Sequence, residues 1–168
     1  MRIFLGNNRL SGGFTLVEVL VAIVVLSIGL LGLAALQITS LQFNSNSYLR
    51  TQATVVAYDL IDRMRSNRAA FAANAYHVPT TSAADTMVTT TYQGCKSSSC
   101  DCQGSACSIS NLAIYDLGQW YELTDNLLPG SLTNRPTITR NSVTNEATID
   151  IKWTEKDVQQ SKSWTVRL

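Results

Sequence analysis

The sequence predicts an α+β protein. A long N-terminal helix, membrane-spanning and then amphipathic, packs against a small antiparallel β-sheet, with a second short helix and a disulfide-stapled loop. Three observations carry that reading. An uninterrupted apolar run near the N-terminus continues into an amphipathic helical stripe. Period-two alternation fills the C-terminal part. Four cysteines crowd one short stretch between the two.

The long helix comes first. From Val19 to Leu36 there is no charge, and Ser27 is the sole polar side chain. At the α-helical rise such a run covers roughly 27 Å, close to the thickness of a bilayer's hydrocarbon. Gly29 and Gly32 within it create a small face at which neighbouring helices can approach closely. Further on, Leu49, Ala53, Val56, Leu60 and Met64 recur at helical spacing and form one apolar stripe. No proline occurs between residues 14 and 67, so one continuous helix is expected. Its weakest part is Asn44 to Ser47, because Asn and Ser are poor interior helix residues.

Residues 69–110 read as a long connection, Ala-rich at first, Thr-rich around Thr80–Thr91, then carrying the cysteines. A second helix is expected from Ser110, its cap, to Leu128. Ala113, Leu117, Trp120, Thr124 and Leu127 share one face, and Pro129-Gly130 ends it. In Ala147 to Trp153 the odd positions are apolar and the even ones polar, and Trp164, Val166 and Leu168 repeat the pattern. Pro136 to Arg140 supplies a third strand, while Asn141 to Asn145 and Lys156 to Lys162 read as turn regions. One face of this sheet, with Ile149, Ile151, Trp153, Trp164 and Val166, is free to cover the amphipathic half of the long helix.

Composition narrows the function. The chain has 168 residues and a formal net charge of +1, which gives no nucleic-acid footprint. There is no phosphate-cradling glycine loop, no H-E-x-x-H and no EF-hand pattern. His77 is the sole histidine and has no Cys–His or Ser–His partner pattern. The expectation is a protein that is not an enzyme and needs no cofactor or metal. Asp59, Asp62, Arg63 and Arg65 read as a solvated helix face with i,i+3 and i,i+4 charge pairs. Asp116 and Trp120 read as helix placement and core packing.

Cys95, Cys100, Cys102 and Cys107 form a C-x4-C-x-C-x4-C cluster. Outside the cytoplasm an even, clustered set reads as disulfides that pin a loop without a core of its own. A Cys100–Cys102 bridge would close a strained ring. Two connectivities stay open: Cys95–Cys100 with Cys102–Cys107, or Cys95–Cys102 with Cys100–Cys107. A four-thiolate zinc site is the competing chemistry, with an unusual C-x-C spacing for that metal.

Gly13-Phe14-Thr15-Leu16-Val17-Glu18 sits between a short basic leader, with Arg2 and Arg9, and the apolar run. No other Lys or Arg occurs before Arg50, so the positive-inside rule puts the N-terminus in the cytoplasm and the body outside it. A carboxylate at the mouth of such a segment is a functional-site hypothesis whose partner must be named. The segment resembles the class III signal peptide of type IV pilins and type II secretion pseudopilins. That resemblance implies cleavage after Gly13 by prepilin peptidase and N-methylation of Phe14. It also implies a contact between Glu18 and the α-amino group of Phe14 on a neighbouring subunit, which is cationic near neutral pH. Two rival readings remain. One is an ordinary secretory signal cut near Gly32-Leu33-Ala34, which must accept Glu18 in its apolar region. The other is an uncleaved membrane anchor.

Two further stretches are similar to PilV-type minor pilins, the type IV pilus modification group. They are Asp59-Leu60-Ile61-Asp62-Arg63-Met64-Arg65-Ser66-Asn67 and Leu112-Ala113-Ile114-Tyr115-Asp116-Leu117-Gly118-Gln119-Trp120, the latter running on to Pro129-Gly130. The cysteines just before the second stretch suit that group. Many major pilins carry a proline at the position matching Ala35; this chain does not.

The resemblance implies a type IV pilin-like fold divided into a leader (1–13), a transmembrane or filament-core helix (14–36), its amphipathic continuation (37–68) and a periplasmic globular domain (69–168). It further implies a minor pilin that waits in the inner membrane, joins other minor and major pilins through the pilus assembly machinery, and serves motility, adhesion or DNA uptake. A minor pseudopilin of a type II secretion system is the alternative. A membrane-anchored or secreted periplasmic binding module is the alternative of another class.

Overall fold

The computed structural model describes residues 13–96, 102 and 107–168. The leader before Gly13, with Arg2 and Arg9, and Cys100 lie outside them. Two compact units divide the chain, Met1–Asn44 and Ser45–Leu168.

Helix α1 runs from Leu16 to Ser66, and Asn44 to Ser47 stay helical. Several of its hydroxyl side chains bond back inside the helix. The Ser27 hydroxyl donates to the Ile23 carbonyl at 2.7 Å and Thr39 to Ala35 at 3.0 Å. Such internal bonds are what an apolar surrounding demands of a hydroxyl. In the first unit every described side chain of α1 is exposed, and one window has a mean hydropathy of 2.9.

In the second unit the helix changes character. Ala53, Val56, Leu60 and Met64 are buried as their spacing predicts, together with Ala57 and Ile61, and Leu49 is half-buried. The facing layers come from helix α5 (Ile109–Leu127) and a three-stranded antiparallel sheet of order β1-β2-β3. β1 spans Thr137–Asn141, β2 Glu146–Glu155 and β3 Val158–Arg167. Strict alternation along β2 buries Ala147, Ile149, Ile151 and Trp153. Trp164 and Val166 of β3 pack half-buried beside them. This is the long helix, second helix and small antiparallel sheet that the sequence predicts.

Three expectations need correction. Residues 69–110 are not a plain connection: they hold α2 (Arg68–Ala72), α3 (Thr81–Thr86), a π-helical stretch (Met87–Tyr92) and α4 (Gln93–Lys96). The threonines that argue against helix by propensity support it here. Thr80 caps α3 by accepting the Ala83 amide at 3.1 Å, and Thr86 and Thr89 bond back to the carbonyls of Ser82 and Asp85. Met87, Val88 and Tyr92 are then buried, a tertiary gain that outweighs weak propensity.

The second correction is the cap of α5, which is Ser108 rather than Ser110. Its hydroxyl accepts the Asn111 amide at 3.1 Å. The third is the β2–β3 turn, which shrinks to Lys156 and Asp157, both at positive φ (49° and 63°). β3 therefore begins at Val158, inside the stretch whose polarity reads as a turn.

Candidate assembly and processing segment

Gly13, Phe14 and Thr15 precede the first turn of α1 in non-helical backbone, and all are exposed. The Gly13–Phe14 peptide bond is thus not locked in helical hydrogen bonding. The Glu18 amide donates to the Thr15 hydroxyl at 3.3 Å and to the Thr15 carbonyl at 3.1 Å. Thr15 is therefore the helix cap, and Thr-x-x-Glu is the residue pattern of a capping box. Sequence reading passed over Thr15, although this spacing just before an apolar run was the available signal.

The placement has an electrostatic consequence. Glu18 sits in the first turn, where the helix dipole favours a negative charge. Phe14, Glu18, Val19, Ala22, Ile23 and Leu26 line one shallow face. A carboxylate so placed, rimmed by exposed apolar side chains, suits a cation brought by another chain.

The body holds the remaining predicted positions. Cys102 and Cys107 form a disulfide with a Cα–Cα distance of 5.6 Å. Cys95, buried on α4, is disulfide-bonded as well. The His77 ring accepts the Arg140 amide on Nδ1 at 3.2 Å, so it fastens β1. Among the described residues no group of three His, Cys, Asp or Glu side chains is placed to hold a metal.

Arg65 and Asp62 make the expected exposed pair at 3.2 Å. Arg63 goes further. It bonds Asp59 at 2.8 Å and also reaches α5, at 3.4 Å from Asp116 and 3.1 Å from Gln119. The second Asp116 oxygen accepts the buried Tyr76 hydroxyl at 2.6 Å. Asp116 is therefore a lock between α1, α5 and the segment after α2, a role that helix placement alone does not reveal. Burial first, and then the bond to Asp116, pushes the Tyr76 phenol well above the ordinary tyrosine range.

Removing this acceptor has a calculable cost. Asp116→Ala should destabilise the body by about 2–3 kcal/mol, since it strands a buried hydroxyl and half-frees a guanidinium. Asp116→Asn should lose about half of that. Equal unfolding midpoints for Asp116→Ala and wild type would refute the lock. The raised phenol also sets a pH dependence. Above pH ~10 the unfolded chain loses the Tyr76 proton while the folded chain keeps it, so stability falls as pH rises. Tyr76→Phe should flatten that fall.

A second buried ion cluster escaped sequence reading. The Arg135 side chain, 7% exposed, donates to Asp85 and Asp125 at 2.7 Å each and lies over the Tyr121 ring. Burial opposes its charge, but the two carboxylates more than offset this and raise its pKa. It ties Asp85 of α3, fifty residues before it in the chain, to Asp125 of α5.

A family model described as type IV pilin Tt1218 matches residues 35–118, half of the chain. A second, the prokaryotic N-terminal methylation motif, matches residues 8–34. No curated protein and no solved structure gives a match.

Proposed function

Since the chain belongs to the Tt1218-like family of type IV pilins, we propose that it is a minor pilin of the PilV type, built into a priming or tip complex. The observation that carries the reading is the methylation motif, Gly13-Phe14 with Glu18, set on the open end of a helix whose apolar side chains are exposed all round. Prepilin peptidase cuts after Gly13 and methylates the Phe14 amine. Before the cut, Arg2 and Arg9 hold the leader on the cytoplasmic side; the processed chain, beginning at Phe14, waits in the inner membrane with residues 69–168 in the periplasm. It is a structural subunit and the substrate of an enzyme, and it uses no cofactor.

During assembly the exposed apolar helix packs among those of major and other minor pilins. Each buried methylene contributes about 0.8 kcal/mol where water, not lipid, is displaced; within the bilayer close packing and the charge contact count for more. The Phe14 amine of a neighbouring subunit meets Glu18 and neutralises it. Through pilus assembly the subunit serves motility, adhesion or DNA uptake.

The first test is the N-terminal residue and its mass, on protein from sheared surface pili and from inner membranes. N-methyl-Phe14 in the sheared fraction supports processing and filament membership together. Met1 or Ala35 would end the reading. Recovery from a secretion pseudopilus alone would favour the pseudopilin alternative. Glu18→Ala should leave membrane insertion intact and lower recovery in sheared pili at least about tenfold, the equivalent of 1.4 kcal/mol. Normal recovery would remove the charge contact.

A further inference from the structure

The sheet is closed along one edge and open along the other. Beside β1, Val78 and Ile138 exchange both backbone hydrogen bonds, at 2.8 and 2.7 Å. β3 pairs with β2 from Glu155↔Val158 to Glu146↔Arg167. Among the described residues its other side has no backbone partner.

Register decides which amides face that open edge. The two-residue Lys156-Asp157 turn closes on the Glu155–Val158 pair, which in such hairpins exchanges hydrogen bonds. At the far end the Leu168 amide donates to the Asn145 carbonyl at 3.1 Å, in the same parity. Even-numbered residues of β3 therefore bond to β2. Gln159, Ser161, Ser163, Thr165 and Arg167 turn their N–H and C=O groups outward. The strand is ten residues long and holds no proline.

Its charge is one-sided. Between Val158 and Leu168 the charged side chains are Lys162 and Arg167, with no Asp or Glu. Lys162 shares the core-side face with Trp164 and lies 5.2 Å from that ring. An inward lysine on an edge strand repels a chance apolar strand, and a carboxylate on the incoming strand turns the guard into a contact. Pairing with a second copy would instead bring two strands of the same sign together.

We infer that β3 is a docking edge for an extended segment of a neighbouring pilin-type subunit. This segment adds as a fourth strand, with a carboxylate near Lys162 or Arg167 and an apolar side chain beside half-buried Trp164. The inference rests on the reading that the chain enters a filament.

The test is residue-level amide exchange on the full chain, free in detergent micelles and assembled in sheared filaments. In micelles the even amides of β3 should be protected and the odd ones fast. In filaments the five odd amides should slow at least about tenfold. Ser163→Pro removes one outward N–H and the side-chain bond to Asp150 but leaves the backbone ladder to β2; it should keep the even-residue protection and lose the slowing in filaments. Lys162→Glu with Arg167→Glu should lose it too. Fast odd amides in filaments that contain the chain would overturn the inference. So would slowing unaffected by either variant, or slowing in micelles that grows with concentration of the pure chain, which would mark a second copy as the occupant. Absence of the chain from filaments would strike the pilin reading first, and this edge with it.

Discussion

Trp120→Ala should cost the C-terminal body about 3–5 kcal/mol, the range for removing a large aromatic from a packed core. Trp120 is fully buried, and its ring meets Tyr121 edge-on at 5.0 Å. Its Nε1 donates to the Val56 carbonyl at 2.8 Å, a bond from α5 to the backbone of α1. The truncation therefore opens a cavity and cuts a cross-link between the two helices. Trp120→Phe keeps much of the volume and loses the donor, so it should cost about 1–2 kcal/mol. Denaturant unfolding of the full chain in micelles, followed by near-ultraviolet circular dichroism, measures both. A loss under about 1 kcal/mol for the alanine variant would show that the ring is not central to the core.

Gly118→Ala should destabilise the body by about 2 kcal/mol, although alanine is the better helix former by about 1 kcal/mol. A Cβ at Gly118 would overlap Cγ, Cδ2 and Cε2 of the Tyr92 ring, which packs against α5 at this point. The ring cannot step aside cheaply. It is buried, packs edge-on against Tyr115 at 6.1 Å, and carries the Lys96 ammonium 4.7 Å from its centre. Lys96 in turn bonds Glu122 on α5 at 2.7 Å. Displacing Tyr92 thus pushes the π-helical stretch and α4 off α5. The sign should invert when the obstacle is gone: in a Tyr92→Ala background, Gly118→Ala should be neutral or stabilising. Destabilisation of the same size in both backgrounds would sink the steric account.

Periodicity made the main elements legible. The apolar run, the stripe from Leu49 to Met64 and the alternation from Ala147 to Trp153 each rest on neighbours a few residues apart, which is the range a pattern in one chain can encode. The methylation motif was legible for the same reason, since Gly13, Phe14 and Glu18 lie within six residues of one another. What failed were stretches whose local preferences are outvoted. The threonines of Thr80–Thr91 favour extended chain until burial of Met87, Val88 and Tyr92 makes them helical. The polar run after Lys156 reads as a turn until pairing with β2 makes it a strand.

The residue pattern alone encodes an N-terminal methylation motif, a long apolar helix and a body that carries clustered cysteines. The tertiary structure alone decided the rest. It made Asp116 the acceptor for both Tyr76 and Arg63, set Arg135 between Asp85 and Asp125, and joined Cys102 to Cys107. Among the described residues it also left β3 with one open edge. Most of these outcomes turn on groups far apart in the chain, and the cysteine pairing on a choice among near neighbours that spacing leaves open. Burial magnifies the value of each partner found and the cost of each one missing, and no local pattern records which partner that will be.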